Sequence, residues 1–353
     1  MKTSLKITLI CFLCLPLFLF AQKQEQLDII EKTFDVEKNS TLEVSNSYGN
    51  INLNTWDQNK IYIKIVKKVK GKSKEKVEKL ARKITFDFEN RNNKVVAETN
   101  IGNFGNYGSG NLSMQIDYFI NAPKSVITNL KNEYGNIIID DLYNSTKIQC
   151  AYGSLVAHSL NNSINKIVLE YSDGSTIDFA NEIDLNTDYS NVSIVKANYV
   201  KLLSDYSNIK MENIENLDFN IDYGNLSIDQ VKNAKGNSEY TNLEIGEMQN
   251  VLNVVLSYGS IKVKDISTDF SDINLRTAYA GVKLQFPEDI SFNFDLFTEY
   301  GSISELNKML IRENFQENTS HKLKGVYNEQ KNKKNLPKIK VTSSYNSIRL
   351  QTK

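Results

Sequence analysis

The segment LDFNIDYGNLSIDQV, residues 217–231, contains the repeating unit of this chain. Apolar residues alternate with polar ones from Leu217 to Ile221, as in a strand with one buried face. Tyr223 follows, and a turn-forming Gly-Asn pair separates it from a second alternating run that begins at Leu226. The unit is therefore expected to be two short strands joined at a corner beside a tyrosine.

Twelve tyrosines occupy this position of the unit. From Tyr134 to Tyr258 they follow one another at intervals of 17 to 19 residues. A fixed period of this kind indicates one structural unit stacked on copies of itself, so the chain is expected to be a repeat protein. The twelve are Tyr48, Tyr134, Tyr152, Tyr171, Tyr189, Tyr206, Tyr223, Tyr240, Tyr258, Tyr279, Tyr300 and Tyr345.

The repeat predicts a mainly β fold, a parallel β-helix or solenoid with coils of about 17–18 residues stacked roughly 4.8 Å apart. Each coil is expected to have three inward stretches separated by corners. Asn recurs two and ten positions after the tyrosine and would bond its equivalents in neighbouring coils. An antiparallel meander with Gly-Asn hairpins is the alternative, but it does not explain the recurrence of residue types at four positions per unit.

The tyrosine and the second residue after it are expected to build the corner. Asn, Ser or Gly at that second position suggests that the left-handed backbone angle lies there. The tyrosine ring is expected to pack inward, with its hydroxyl reaching water or backbone. We interpret the row of tyrosines as structural, with ligand stacking as the alternative.

The first residues, MKTSLKITLICFLCLPLFLFAQ, predict a secretory signal peptide cut after Ala21. The apolar run from Ile7 to Phe20 is shorter than the roughly 20 residues of a retained membrane anchor, which is the alternative. Cys11 and Cys14 lack the small residue that should precede a lipid-attachment cysteine. No later segment is apolar enough to span a membrane, so the mature chain is expected in the periplasm or at the cell surface.

The charge balance excludes some partners. Lysines plus arginines number 42 and acidic residues also 42, and removing residues 1–21 with their two lysines leaves 40 minus 42, or −2. General electrostatic attraction to nucleic acid is therefore not expected. Cys150 remains as the single mature cysteine, so the fold is expected to contain no disulfide.

Outside the regular repeats, the pattern changes at both ends. Ser73–Ile84 has a capping serine and helical apolar spacing, between strands at Lys60–Val69 and Ile84–Phe88. Residues 100–113 form a loop rich in Gly and Asn. We expect residues 22–125 to be a small α/β capping module, 126–304 the regular solenoid, 305–336 a charged mobile excursion, and 337–353 the final strand of the solenoid.

A row of acidic residues, which we call the acidic row, precedes the tyrosines. Four of its members, Asp188, Asp205, Asp222 and Glu239, lie in consecutive coils and would repel one another. Three interpretations remain open: a solvated edge that discourages aggregation, a stripe that binds calcium or another cation, and a catalytic acid pair. The row comprises Glu133, Glu170, Asp188, Asp205, Asp222, Glu239 and Glu299.

Other chemistry has little support in the sequence. His158 and His321 are the two histidines, and their spacing predicts neither a zinc cluster nor a Ser-His-Asp arrangement. Cys150 falls at an inward position and is interpreted as a core residue rather than a nucleophile. Neither standard glycine-rich phosphate loop is present. No catalytic or cofactor-binding residue is predicted.

Three segments resemble the bacterial putative adhesin family, envelope proteins with head-GIN-type β-solenoid domains. They are LEVSNSYGNINLNTWDQNKIYIKI, residues 42–65, INAPKSVITNLKNEYGNIIIDDLYNSTKIQCAYGSLVA, residues 120–157, and LPKIKVTSSYNSIRL, residues 336–350. The resemblance implies a secreted or periplasmic β-solenoid and supplies no catalytic residues.

Together, these observations predict a secreted, noncatalytic solenoid that acts as a binding or structural element of the bacterial envelope. Its partner would be an envelope protein or a glycan. Two other functions stay open: a carbohydrate-active β-helix enzyme, whose acid pair would include Asp205 and Asp222, and an accessory protein of envelope-stress signalling.

Overall fold

The structure, a computed structural model, describes residues 23–102, 112–329 and 335–353. The predicted leader, most of the 100–113 loop, and Lys331, Lys333 and Lys334 lie outside these residues. Within them the chain is almost entirely β, which confirms the predicted fold class.

The N-terminal part contains seven strands and one helix. They are β1 (Gln24–Asp35), β2 (Thr41–Ser47), β3 (Ile51–Trp56), β4 (Lys60–Gly71), α1 (Lys74–Lys83), β5 (Ile84–Arg91), β6 (Lys94–Ile101) and β7 (Ser113–Pro123). The helix confirms the prediction for this segment: Ser73 is its N-cap, and the Ser73 side chain accepts a hydrogen bond from the backbone N–H of Lys76.

The regular part follows as β8 (Ile127–Glu133), β9 (Ile137–Leu142), β10 (Thr146–Ala151), β11 (Leu155–Leu160), β12 (Asn165–Glu170), β13 (Ser175–Asp188), β14 (Asn191–Asp205), β15 (Asn208–Ile266) and β16 (Asp272–Phe286). The pairing is parallel and in register from coil to coil. Asp188 lies opposite Asp205, and Asp205 opposite Asp222. The strands that follow the tyrosines pair in the same way, with Ile194 opposite Met211. Each coil therefore sits directly on the one before it.

The interior is one continuous apolar core. In the Tyr206 coil the buried apolar and small residues come in three groups: Val200, Leu202 and Ser204 before the tyrosine, Ile209 and Met211 after it, and Ile214 further on. Glu212 and Asn213, adjacent in sequence, both face outward and break the period of two. This arrangement agrees with the predicted three inward stretches separated by corners.

The N-terminal end is closed by strands that turn back on the solenoid. Strands β6 and β7 pair in parallel with β2 and β3, beyond the Tyr48 coil. Strand β4 then pairs antiparallel with β7, and β1 antiparallel with β4. Helix α1 packs beside them, and Lys67 Nζ beneath it contacts Asp28 Oδ2 at 2.8 Å and the Ala81 carbonyl at 2.9 Å. A buried lysine thus meets a carboxylate and the negative end of a helix.

The C-terminal strands are β17 (Phe292–Glu299), β18 (Met309–Gln316), β19 (Ser320–Tyr327), β20 (Lys338–Ser344) and β21 (Ile348–Thr352). Strand β20 pairs in parallel with both β16 and β17. Residues 337–353 were expected to be the final strand, but they form two strands and occupy a place between earlier coils. The order of stacking therefore differs from the order in sequence, because β20 pairs with both β16 and β17 and lies between them.

The segment expected to be a charged excursion contains a hairpin. Strands β18 and β19 pair antiparallel, and β19 also pairs antiparallel with β17. Leu323 and Tyr327 are buried as part of the apolar core. The many charges of this segment made its strand pattern hard to recognise. Lys322 and Lys324 point to the solvent side of β19 and alternate with the inward residues.

Candidate binding surface

The corner of each coil is formed by the tyrosine itself. All twelve tyrosines have positive φ, between 48° and 62°, whereas the residue two positions later does not. The expectation of a left-handed Asn at the second position was therefore wrong. A left-handed tyrosine is unfavourable alone, but each backbone N–H is bonded to the next coil, as in Tyr206 N to the Asp222 carbonyl at 3.0 Å. Coil-to-coil bonding holds the conformation.

The tyrosine rings lie outside the core, contrary to the expectation that they pack inward. Their exposed fractions run from 39% at Tyr48 to 54% at Tyr300. The rings stack with centroids 4.5–5.1 Å apart and interplanar angles no larger than 14°. We call this array the tyrosine ladder. A positive φ turns the side chain outward, and each ring finds its apolar contact in the rings of adjacent coils.

The order of the ladder follows space rather than sequence. Tyr345 stacks on Tyr279 at 4.5 Å and on Tyr300 at 4.9 Å, so it lies between them. Every inner ring therefore has a neighbour on both faces. A ligand that approaches the ladder meets ring edges and hydroxyls, while among the described residues only Tyr48 and Tyr300 lack a second stacked tyrosine.

The acidic row runs along one side of the tyrosine ladder. Glu170, Asp188, Asp205 and Asp222 lie directly opposite one another on parallel strands. Glu239 precedes Tyr240, whose ring stacks on that of Tyr223. Of these, the four residues predicted as a cation stripe, Asp188, Asp205, Asp222 and Glu239, take part in no ion pair with a described residue. The structure therefore brings the consecutive members together without neutralising them. Glu133 is separated from Glu170 by Ala151, and Glu299 lies opposite Ser344, so these two stand apart from the rest of the row.

Partial burial and the closeness of these carboxylates raise pKa values both in the acidic row and in the tyrosine ladder. The pKa of Asp205 is raised by partial burial and then by the charges of Asp188 and Asp222. The pKa of Asp188 is raised by burial and by Glu170. Partial burial and neighbouring tyrosines and acids also raise the pKa of Tyr223. The surface is therefore a stretch of concentrated negative potential.

Amide side chains run along the other side of the tyrosine ladder. Asn208 Nδ2 donates to Asn191 Oδ1 at 2.9 Å, Asn225 to Asn208 at 2.7 Å, and Asn242 to Asn225 at 3.2 Å. A second amide ladder lies ten residues after the tyrosine, where Asn233 donates to Asn216 and Asn250 to Asn233. Both confirm the predicted bonding of corner asparagines between coils.

A different charge pattern occurs four residues before the acidic row, on the same face of the sheet. Lysine and aspartate alternate there from coil to coil, in the order Lys166, Asp184, Lys201, Asp218 and Lys235. Lys235 Nζ lies 3.2 Å from Asp218 Oδ2, and Lys201 Nζ lies 4.0 Å from Asp184 Oδ2. We call this column the charge zipper.

The charge zipper lines an open cleft of about 520 Å³, whose other lining residues include Val168 and Leu203. At its edge Tyr199 occupies a position where most other coils have Asn, and its hydroxyl donates to Asp218 Oδ2 at 2.7 Å. That bond to Asp218, with partial burial, raises the pKa of Tyr199 to about 12.

Cys150 and His158, to which the sequence assigned no catalytic role, lie in different environments. Cys150 is buried, and this burial raises the pKa of its thiol to about 11, as expected for a core residue. His158 Nδ1 lies 2.6 Å from Asp141 Oδ1, and Asp140 is adjacent. The sequence analysis missed this group, although Asp140 and His158 both lie six residues after a tyrosine of the ladder.

No helix in the described parts of the chain combines the length and the apolar character needed to cross a membrane.

Comparisons with known proteins place the chain beside adhesion proteins at low similarity. No protein-family model matches it, and no curated protein matches it. Among solved structures, a putative cell adhesion protein from Clostridium sporogenes is 13% identical, with 94% of this chain and 100% of that chain covered and a TM-score of 0.17. A putative adhesin from Parabacteroides merdae is 13% identical, with 72% of this chain and 95% of that chain covered and a TM-score of 0.39.

A putative adhesin from Parabacteroides distasonis is 10% identical, covering 72% of this chain and 92% of that chain, with a TM-score of 0.33.

Proposed function

We propose that this chain is a noncatalytic binding or structural protein of the bacterial envelope, adhesin-like in function. It would be exported by the leader at residues 1–21 and act in the periplasm or at the cell surface. The observation that carries the proposal is the tyrosine ladder, a linear array roughly 50 Å long at the 4.8 Å spacing of paired strands, with unneutralised acids beside its middle part from Glu170 to Glu239.

The shape of this surface favours an elongated partner. Because the faces of the inner rings are covered by their neighbours, a small aromatic or sugar ring cannot stack on them. Ring edges, hydroxyls and carboxylates repeat instead at the spacing of the coils. An extended envelope protein or glycan with cationic groups would contact many coils at once, and its charges would offset the repulsion within the row.

The proposal is tested by co-sedimentation of the exported protein with purified peptidoglycan sacculi and, separately, with outer-membrane vesicles. The triple variant Asp188→Asn, Asp205→Asn, Asp222→Asn removes the charge of the row. We expect the wild type to sediment with one of the two materials, and the triple variant to lose most of that binding at moderate ionic strength.

The control changes the charge zipper instead, as Asp184→Asn with Asp218→Asn on the same face of the sheet. This double variant should bind as the wild type does. Equal binding by wild type and triple variant, or no sedimentation with either material, would contradict the proposal.

A carbohydrate-active enzyme remains the second candidate because of one observation, the cleft of about 520 Å³ with Asp184 and Asp218 in its wall. Each carboxylate has a lysine beside it, so the two acids have like surroundings, whereas an acid and base pair needs unlike ones. Release of reducing ends from envelope polysaccharides by the wild type, abolished in the Asp184→Asn, Asp218→Asn variant, would establish this alternative in place of the binding proposal.

A further inference from the structure

A second cluster of polar side chains lies on a corner away from the tyrosine ladder, where adjacent coils bring equivalent positions together. Strands β9 and β11 pair in parallel, with Ala157 opposite Ile139 and Ser159 opposite Asp141. His158 therefore lies beside Asp140, the equivalent residue of the preceding coil. The register of the sheet, rather than a flexible loop, sets their separation.

Three potential metal ligands converge at this corner. One ligand atom each from Asp140, Asp141 and His158 lies within 4.8 Å of the other two, and His158 Nδ1 is 2.6 Å from Asp141 Oδ1. Thr55 of the coil on the other side donates its hydroxyl to Asp140 Oδ2 at 3.3 Å. That bond helps to orient the Asp140 carboxylate, as outer partners of metal ligands commonly do.

A further carboxylate comes from the next coil. Strands β11 and β13 pair with Ala157 opposite Ile177 and Ser159 opposite Phe179, which places Asp178 beside His158. The charge of Asp178 acts on His158 together with those of Asp141 and Asp140. One imidazole thus stands among three carboxylates, two from the preceding coil and one from the next.

An ordinary surface ion pair needs one carboxylate, whereas His158 has three beside it. The cluster is bounded by Asn54 before Asp140 and by Val195 after Asp178, as the pairing of their neighbours shows. Glu212 and Asp229 continue the column further on, but neither lies beside a histidine, so the imidazole among carboxylates is particular to this cluster. Imidazole with carboxylates is a ligand set suited to Zn²⁺ and related divalent transition metals, whereas calcium prefers oxygen ligands alone.

We propose that Asp140, Asp141 and His158 bind a divalent transition-metal ion, with Zn²⁺ as its representative and Asp178 as a fourth ligand. The ion joins the coils of Tyr134, Tyr152 and Tyr171 and neutralises their clustered charge. Its binding therefore stabilises the folded chain. The site is separate from the tyrosine ladder, so its success or failure leaves the proposed function untouched.

Calorimetric titration of the exported protein with Zn²⁺, after treatment with a chelator and dialysis, tests the site. We expect micromolar or tighter binding of one ion, and a higher melting temperature with Zn²⁺ than without it. His158→Gln should weaken binding at least tenfold and abolish the increase in melting temperature, while its melting temperature without metal stays near that of the wild type.

Two controls separate this site from general zinc affinity. Glu215→Gln changes an exposed carboxylate in another cross-coil pair, 3.0 Å from Lys232, and should leave zinc binding unchanged. His321→Gln removes the other imidazole and should also leave it unchanged. Wild-type protein that takes up no Zn²⁺, or binding that survives His158→Gln or is lost with His321→Gln, would overturn the proposal.

Discussion

The charge zipper and the acidic row lie four residues apart on the same strands, yet the zipper alternates positive and negative charges while the row places like charges next to one another. In the zipper each aspartate faces a lysine on the next coil, as Asp218 faces Lys201 and Lys235. In the row, Asp205 faces Asp188 and Asp222. The backbone register is the same in both columns, so the side chains alone make the difference.

The comparison teaches that the fold does not require the acidic row. A column of alternating charges satisfies the same strands and avoids like charges opposite one another, which destabilise a sheet. The row also runs beside the tyrosine ladder, the most exposed aromatic array of the described residues. A costly row next to an exposed array is more readily explained by an interaction surface than by stability.

Among the variants that test this difference, removal of a ring from the middle of the tyrosine ladder should change the free energy of unfolding most. Tyr206→Ala loses two stacked contacts, with Tyr189 and Tyr223, while the positive φ of 49° is as unfavourable for tyrosine as for alanine. From the lost contacts we expect a decrease of about 2 kcal/mol in the free energy of unfolding, measured by urea denaturation. Tyr206→Phe keeps the ring and should lose little. A similar loss in both variants would show that the hydroxyl, not stacking, stabilises the ladder.

Conversion of the charge zipper into a copy of the acidic row should have the next largest effect. Lys201→Glu places three carboxylates in register, with Asp184 and Asp218 on either side. We expect a destabilisation of about 1 kcal/mol, reduced at high salt because the repulsion is screened. Lys201→Met removes the cation without adding a like charge, and should be milder. Equal effects would mean that lost attraction, not repulsion, dominates the column.

Neutralisation within the acidic row should stabilise the chain, by a smaller amount. Because the pKa of Asp205 is raised in the folded state, that state holds the Asp205 proton more tightly than the unfolded state. Its contribution is favourable below pH 3.8 and is lost as the pH rises through the folded pKa. Asp205→Asn should therefore gain up to about 0.5 kcal/mol at pH 7 and nothing below pH 3.8.

Urea denaturation of both proteins across the acid range measures this gain. A gain that grows as the pH falls would contradict the assignment of repulsion to the row. Asp184→Asn in the charge zipper is the matched control, and it should lose rather than gain stability at pH 7, because Asp184 pairs with Lys201.

The smallest effect is expected at an exposed cross-coil pair that belongs to neither column. Glu215 Oε1 lies 3.0 Å from Lys232 Nζ, and both side chains are about half exposed. Lys232→Ala should change the free energy of unfolding by less than about 0.5 kcal/mol. Thermal denaturation at low and high salt checks this, and a change above 1 kcal/mol would show that surface pairs contribute more to this solenoid than to ordinary proteins.

Much of the fold was predictable because its signals are local. The alternation around Tyr223 predicts strands, the period of the tyrosines predicts stacking, and Ser73 before a helical apolar pattern predicts the helix. The asparagine ladders followed from the same period, since equivalent residues of a parallel solenoid lie one coil apart.

The direction of the tyrosines was not predictable from such signals. A tyrosine with positive φ is unfavourable by itself, and here the backbone hydrogen bonds and stacked rings of neighbouring coils stabilise it. One clue was present: Asp222 precedes Tyr223, and Gly224 and Asn225 follow it, so the ring belongs to a polar stretch of sequence. The position of β20 between β16 and β17 left no clue, because it depends on pairing between segments distant in the chain.

Some of the candidate surfaces could likewise be found from the sequence, and one could not. The acidic row could be found from sequence because its members share one position before each tyrosine. The His158 cluster could have been found by aligning position six of each coil, which places Asp140 beside His158. The charge zipper was missed because its two signs cancel in any count of composition.

The placement of β20 and β21 has a consequence for how the protein is made. A chain that is synthesised from its N-terminus can close coil upon coil as far as the Tyr279 coil before β20 and β21 have been made. The contact between that coil and the Tyr300 coil passes through β20, so it forms only after Lys338–Ser344 has been added. A product that stops before this segment would leave the edge of β16 unpaired and open to proteases and chaperones.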